Sequence, residues 1–255
     1  MNTQNKSFPE FPPGFWRRII LYPGKGRIDG ALEDDMHSFR IRMEHSGELI
    51  TGVSARAVRH PWSACAGAPA HLAASLKGEK LADVTSHDPR QECTHLFDLA
   101  IVAAAHAHDT APSQFDMRVA DRIDERTTAT LSVDGVEKLH WQIDGTAIAG
   151  PEEFAGLDIK RLSTWKHDFP SETAEWATLL RRAIFVSGAR QYEAPVNVRA
   201  SDQGPLRLGV CYNYQLPQAE ESTPIFDRRE FSMSGREPLE DFDPDIEFSS
   251  DMPAA

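Results

Sequence analysis

The sequence predicts an α+β protein, with antiparallel sheet and helices packed on one face of it. Three observations predict this. Polar and apolar residues alternate along 38–44 and again along 49–58, around a turn at Ser46-Gly47. Such alternation puts one strand face in a core and the other in solvent. The same pattern returns at 127–133 and 136–143 around Asp134-Gly135, the strongest short hairpin signal. Set among these pairs are three segments of helical character, at 66–76, 94–106 and 172–185.

Each helix has its own punctuation. The first is Ala-rich, carries Pro69 in its first turn, where proline is tolerated, and stops at Lys77-Gly78. The second has Leu96, Leu99, Ala103 and Ala107 along one face and begins at Cys93 or Thr94. A helix N-terminus offers free N–H groups and partial positive charge, which lowers the pKa of a thiol placed there. The third has Ser171 as its expected N-cap and Gly188 just beyond its end. Residues 206–215 alternate again and read as a final strand.

The domain reading has three parts. Residues 1–26, rich in Pro, Gly and aromatics, read as an irregular arm whose rings pack on the body. Residues 27–216 read as a single α+β domain. Residues 217–255 read as an acidic, partly ordered tail.

Composition narrows the function classes. The chain has 255 residues, of which 40% are hydrophobic and 26% charged, enough to bury a sizeable core. The net charge is −12, and beyond Pro217 eleven Asp or Glu face three Arg. The body is near neutral, and no basic patch marks a phosphate-binding surface, so nucleic acid is not an expected partner. The apolar stretch Leu96–Ala107 is broken by Asp98 and His106 and is short of the roughly 20 residues a membrane helix needs. No signal peptide is expected from the first residues. Three cysteines suit free thiols in a reducing compartment, and the cytoplasm is the expected location.

Several residues carry candidate chemistry. His37 and His95 are candidate general acid–base groups. Asp35 precedes His37, and Asp98 lies one helical turn after His95, on the same face. His60, Trp62, Tyr212 and Tyr214 are candidate substrate-binding residues, with the two tyrosines on one face of the expected last strand. Cys65, Cys93 and His95 are candidate ligands for zinc or iron, with inert burial of both thiols as the competing reading. Gly24-Lys25-Gly26 lacks the rest of a phosphate loop, and neither a GxSxG elbow nor an HExxH helix occurs.

Two resemblances follow from these motifs. Met36-His37, Gly52, Cys65, Leu76-Lys77-Gly78 and Glu92-Cys93-Thr94-His95-Leu96, with Trp141-Gln142-Ile143-Asp144-Gly145 and the run 151–156, resemble a bacterial family known only as a domain of unknown function, number 2889. The layout of strands, then Cys65, then Lys77-Gly78, then Cys93 near His95 is similar to that of iron–sulfur cluster scaffold proteins. That second resemblance implies a scaffold-like core with a β-rich extension but not the cluster site, since Asp35 and His37 lie near the place of the scaffold's earliest ligands and no thiol stands there. Such clusters usually take four thiolates.

The expected function is a small-molecule enzyme, a lyase acting on a hydrophobic or aromatic substrate by His/Asp acid–base chemistry without an organic cofactor. A metal-binding or scaffold-like protein and a non-catalytic binding or adaptor protein are the alternatives. A homo-oligomer is left open.

Overall fold

The computed structural model describes residues 7–191 and 196–248. Eight antiparallel strands run in the order β4-β3-β2-β1-β5-β6-β7-β8. They are β1 Gly14–Gly24, β2 Arg27–Asp34, β3 Ser38–Ser46, β4 Leu49–Arg59, β5 Ser113–Ala120, β6 Arg126–Val133, β7 Val136–Asp144 and β8 Ala147–Gly150. The helices are α1 Ala68–Leu76, α2 Thr94–Ala105, α3 Leu162–Trp165, α4 Ser171–Ser187, α5 Gln218–Glu221, α6 Phe231–Ser234 and α7 Pro244–Glu247. Among the described residues, no helix is long and apolar enough to cross a membrane.

The expected single domain over 27–216 gives way to two compact units. One contains residues 19–114, 196–229 and 239–248. Its hairpin of β2 and β3 pairs Gly30 with Ile41 and Leu32 with Phe39. Strand β3 alternates Phe39, Ile41 and Met43, all buried, with Arg40 and Arg42. The apolar set faces α2. A Cβ on Gly30 would stand 3.1 Å from side-chain atoms of Leu21, Ile41 and Leu99, so a residue without a side chain lets α2 close on the sheet. Helix α1 packs on β4. The Arg40–Arg42 face is covered by the C-terminal segment, with Phe242 and Phe248 lying against the two guanidinium groups.

The other unit contains residues 7–18, 115–191 and 230–238. Asp134 and Gly135 both take positive φ, 50° and 77°, the pair of left-handed residues that a tight hairpin with the native twist requires. Helix α4 packs on β6 and β7. Trp141 anchors an aromatic cluster, with ring centroids 5.5 Å from Phe154 and 6.1 Å from Trp165. Phe169 stacks on Phe154 at 4.8 Å.

Three expectations are corrected. The arm is not irregular throughout, because Gly14–Gly24 is a strand. Arg17 and Arg18 interrupt its apolar run, but Arg18 is neutralised by Asp116 at 2.6 Å and Glu237 at 3.2 Å. Residues 206–215 form no strand, since Gly209 turns the chain at φ 75° and Tyr212–Tyr214 is a 3-10 turn. Pro170, not Ser171, caps α4, and Ser171 is its first helical residue. Within the segment expected to be a partly ordered tail, Phe231, Leu239 and Phe248 are all buried.

Trp141 is fully buried, so Trp141→Ala is expected to cost about 3–5 kcal/mol from lost burial and the cavity left behind. The shift of the urea midpoint measures it.

Candidate functional site

Strand β2 ends at Asp34 and β3 begins at Ser38, so the connection is a tight turn. Its first residue organises it. Asp34 Oδ1 accepts the backbone N–H groups of Met36 at 2.9 Å and His37 at 2.8 Å. The Asp34 N–H in turn donates to the carbonyl of His37 at 2.8 Å. An aspartate that closes its own turn in this way is a recurrent local motif. The geometry also fixes His37, whose Nδ1 lies 3.1 Å from Asp34 Oδ1.

His95 arrives from the first turn of α2, on the face that packs on β2 and β3. Its Nε2 lies 3.8 Å from Asp34 Oδ2. The His37 and His95 rings stack with centroids 3.4 Å apart and planes 19° apart. Phe39 backs both rings at 6.2 Å and 6.5 Å. One ligand-capable atom from each of Asp34, His37 and His95 lies within 4.8 Å of the other two, and all three residues are held away from solvent. Two imidazoles and one carboxylate so placed could hold a metal ion.

The structure thus brings together His37 and His95, with Asp34 rather than Asp35. Asp35 is also buried, but what the turn uses is its carbonyl, which accepts from Arg59 Nη1 and from the Arg229 N–H, both at 2.8 Å. The position of Asp34 at the head of a four-residue turn was the available signal. Asp98 is buried on α2 but is not a member of the ligand group.

The two thiols named as ligands join no such group with His95 among the described residues. Cys65 lies in a 3-10 turn, in an apolar cluster with Trp62 and Tyr214. Cys93 is the N-cap of α2. The expected lowering of its pKa is overturned, since burial pushes the thiol up to about 12 against the opposing pull of the Leu96 and His95 N–H groups. Burial also raises Cys65 well above its ordinary value and raises Cys211. A helix end favours a thiolate only where water or a cation shares its charge.

The expected substrate residues divide. Trp62 and Tyr214 meet edge to face at 6.0 Å within the Cys65 cluster, which is packing. His60 Nδ1 lies 2.9 Å from the Trp62 carbonyl. Tyr212 stands apart from these, its ring 5.0 Å from that of His71. His71 Nε2 is 3.5 Å from the buried Glu92 carboxylate, which also accepts from Ser75 at 3.0 Å.

Cys65 links burial to pH. An unfolded thiol ionises near 9.0, whereas this one stays protonated in the fold. Above that pH the unfolded chain binds fewer protons, so the contribution of Cys65 is intact below pH 9 and is lost as pH rises further. Cys65→Ala is expected to flatten the alkaline fall in unfolding free energy by up to about 1.4 kcal/mol per pH unit. Urea titrations of both chains between pH 8 and 10.5 check it.

Comparison with known proteins finds no matching family model and no matching curated protein.

Proposed function

We propose that Asp34, His37 and His95 bind one divalent transition metal, zinc or ferrous iron, in a site of the catalytic type. The protein would then be a metal-dependent lyase acting on a small hydrophobic substrate. The observation that carries this reading is the convergence of two stacked imidazoles and a carboxylate oxygen at one buried turn. Structural zinc is almost always held by four protein ligands. Three leave room for water or substrate, and a metal held in this way supplies a Lewis acid and an acidified water.

The chain's own residues have separate parts in this reading. Asp34 Oδ1 is committed to the turn and to His37, while Oδ2 faces His95. A carboxylate bonded to one nitrogen of a ligating histidine fixes its tautomer and raises its basicity. Aromatic Phe39 backs both rings and limits their rotation.

A second reading follows from the 3.1 Å contact of His37 with Asp34. An imidazole oriented by a carboxylate is also what metal-free proton transfer requires. In that case His37 is the acid–base group and no metal is needed.

Elemental analysis of protein purified without a metal-affinity step, followed by cobalt(II) titration read in the visible, separates the two. One metal per chain is expected. His37→Ala, His95→Ala and Asp34→Asn should each weaken cobalt by more than the roughly 10–100-fold typical of losing a group that only hydrogen-bonds to a ligand. Affinity should also fall toward acid pH, because both imidazoles must be neutral to bind. A wild-type chain that takes up neither metal would sink the metal reading and leave proton transfer by His37.

A further inference from the structure

We propose that Arg59 is a positioning residue for the Asp34–His37–His95 site and that it couples the C-terminal segment to that site. This rests on the metal reading above.

Arg59 is the last residue of β4 and pairs with Ser38, next to the ligand turn. Its guanidinium is buried and spans the turn. Nη2 donates to the carbonyls of Asp34 at 2.5 Å and His37 at 3.4 Å, and Nη1 to that of Asp35 at 2.8 Å. Nη2 also meets the Glu33 carboxylate at 3.1 Å. One planar cation therefore holds three carbonyls of the four-residue segment that presents two of the three ligands. A lysine has one nitrogen and cannot span this set.

The C-terminal region closes the same network at three places. The Asp227 carbonyl accepts from Arg59 Nη1 at 3.2 Å. The Arg229 N–H donates to the Asp35 carbonyl at 2.8 Å, and its guanidinium stands 3.7 Å from Glu33. The Leu239 N–H donates to the other oxygen of Glu33 at 2.7 Å. From there residues 239–248 lie along the outer face of β3. Phe242 sits 4.9 Å from the Arg40 guanidinium, Glu247 pairs with Arg40 and Arg56, and the Phe248 carbonyl accepts from Arg42 at 2.8 Å. Glu33 and Arg59 thus stand between the seated segment and the ligand turn.

Linkage makes the coupling reciprocal. If seating the segment tightens the turn, a metal on the turn must tighten the segment by the same factor.

The test uses the full-length chain, with cobalt(II) and zinc(II) as probes. Cobalt affinity is measured for the wild type, for Arg59→Lys and for Phe242→Ala/Phe248→Ala, each with its urea midpoint. Backbone amide exchange across 229–248 is measured on the wild type with and without zinc, so one arm needs no variant. Both variants are expected to bind cobalt about tenfold more weakly, and zinc should slow exchange at Arg229 and Leu239. The affinity loss should exceed anything seen in a control of similar midpoint, Trp141→Ala. Wild-type affinity in Arg59→Lys would overturn the positioning role. Unchanged exchange with zinc bound would overturn the coupling. A wild type that binds no cobalt would instead overturn the metal reading and this proposal with it.

Discussion

Three consecutive acids, Glu33, Asp34 and Asp35, are buried where β2 ends, and the surrounding unit is arranged around that constraint. Burying even one unpaired carboxylate is prohibitive, and a paired one still loses its hydration. The chain meets the demand of Glu33 and Asp34 from several sides. The turn's own N–H groups serve Asp34, Arg59 and the Leu239 N–H serve Glu33, and His37 and His95 stand against Asp34. Removing one partner of such a set leaves a buried charge behind, which is more harmful than never having built the set. The position of α2, the end of β4 and the return of the C-terminal region all satisfy this one cluster.

What the sequence made legible follows from how local each signal is. The β3–β4 and β6–β7 hairpins were readable because alternation and a turn dipeptide lie within a few residues. Helices α1 and α2 were readable because Pro69, Lys77-Gly78 and Cys93-Thr94 mark their ends. Strand β1 was not, because Arg18 breaks its apolar pattern and the acids that neutralise it lie far along the chain. The alternation at 206–215 misled because Gly209 needs a left-handed backbone there, and period alone does not say whether a neighbouring strand exists. In the site, His37 and His95 were named from chemistry. Their common partner was missed by one position, since adjacent aspartates look alike until the turn decides which carboxylate accepts its N–H groups and faces the two rings. The lowered pKa expected of Cys93 failed because a helix end was weighed without the desolvation that outweighs it, while the competing reading of inert burial agrees with two buried thiols.

The acidic C-terminal segment shows the same limit in charge counting. Its excess of Asp and Glu suggested an acidic, partly ordered tail. Part of it is complementary to a sheet face bearing Arg40, Arg42 and Arg56, where Glu247, Phe242 and Phe248 settle. Cation–π contacts and a partly buried ion pair of this kind are worth more than exposed pairs. Burial nevertheless weakens the hold of Arg40 on its proton, with Glu247 and Glu33 acting the other way. Net charge summed over a sequence carries no information about which charges face one another.

The stacking of His37 on His95 decides what the turn is suited to hold. Two imidazolium ions with centroids 3.4 Å apart would repel by about 5 kcal/mol even at an effective dielectric of about 20. One carboxylate between them offsets part of that for one ring at a time. With both rings neutral, two ring nitrogens and a carboxylate oxygen lie within 4.8 Å of one another, a group that could hold a metal ion. On the metal reading, a proton and a metal ion would compete for the same electron pairs at this turn, so the metal-free and metal-bound readings would be two sides of one competition.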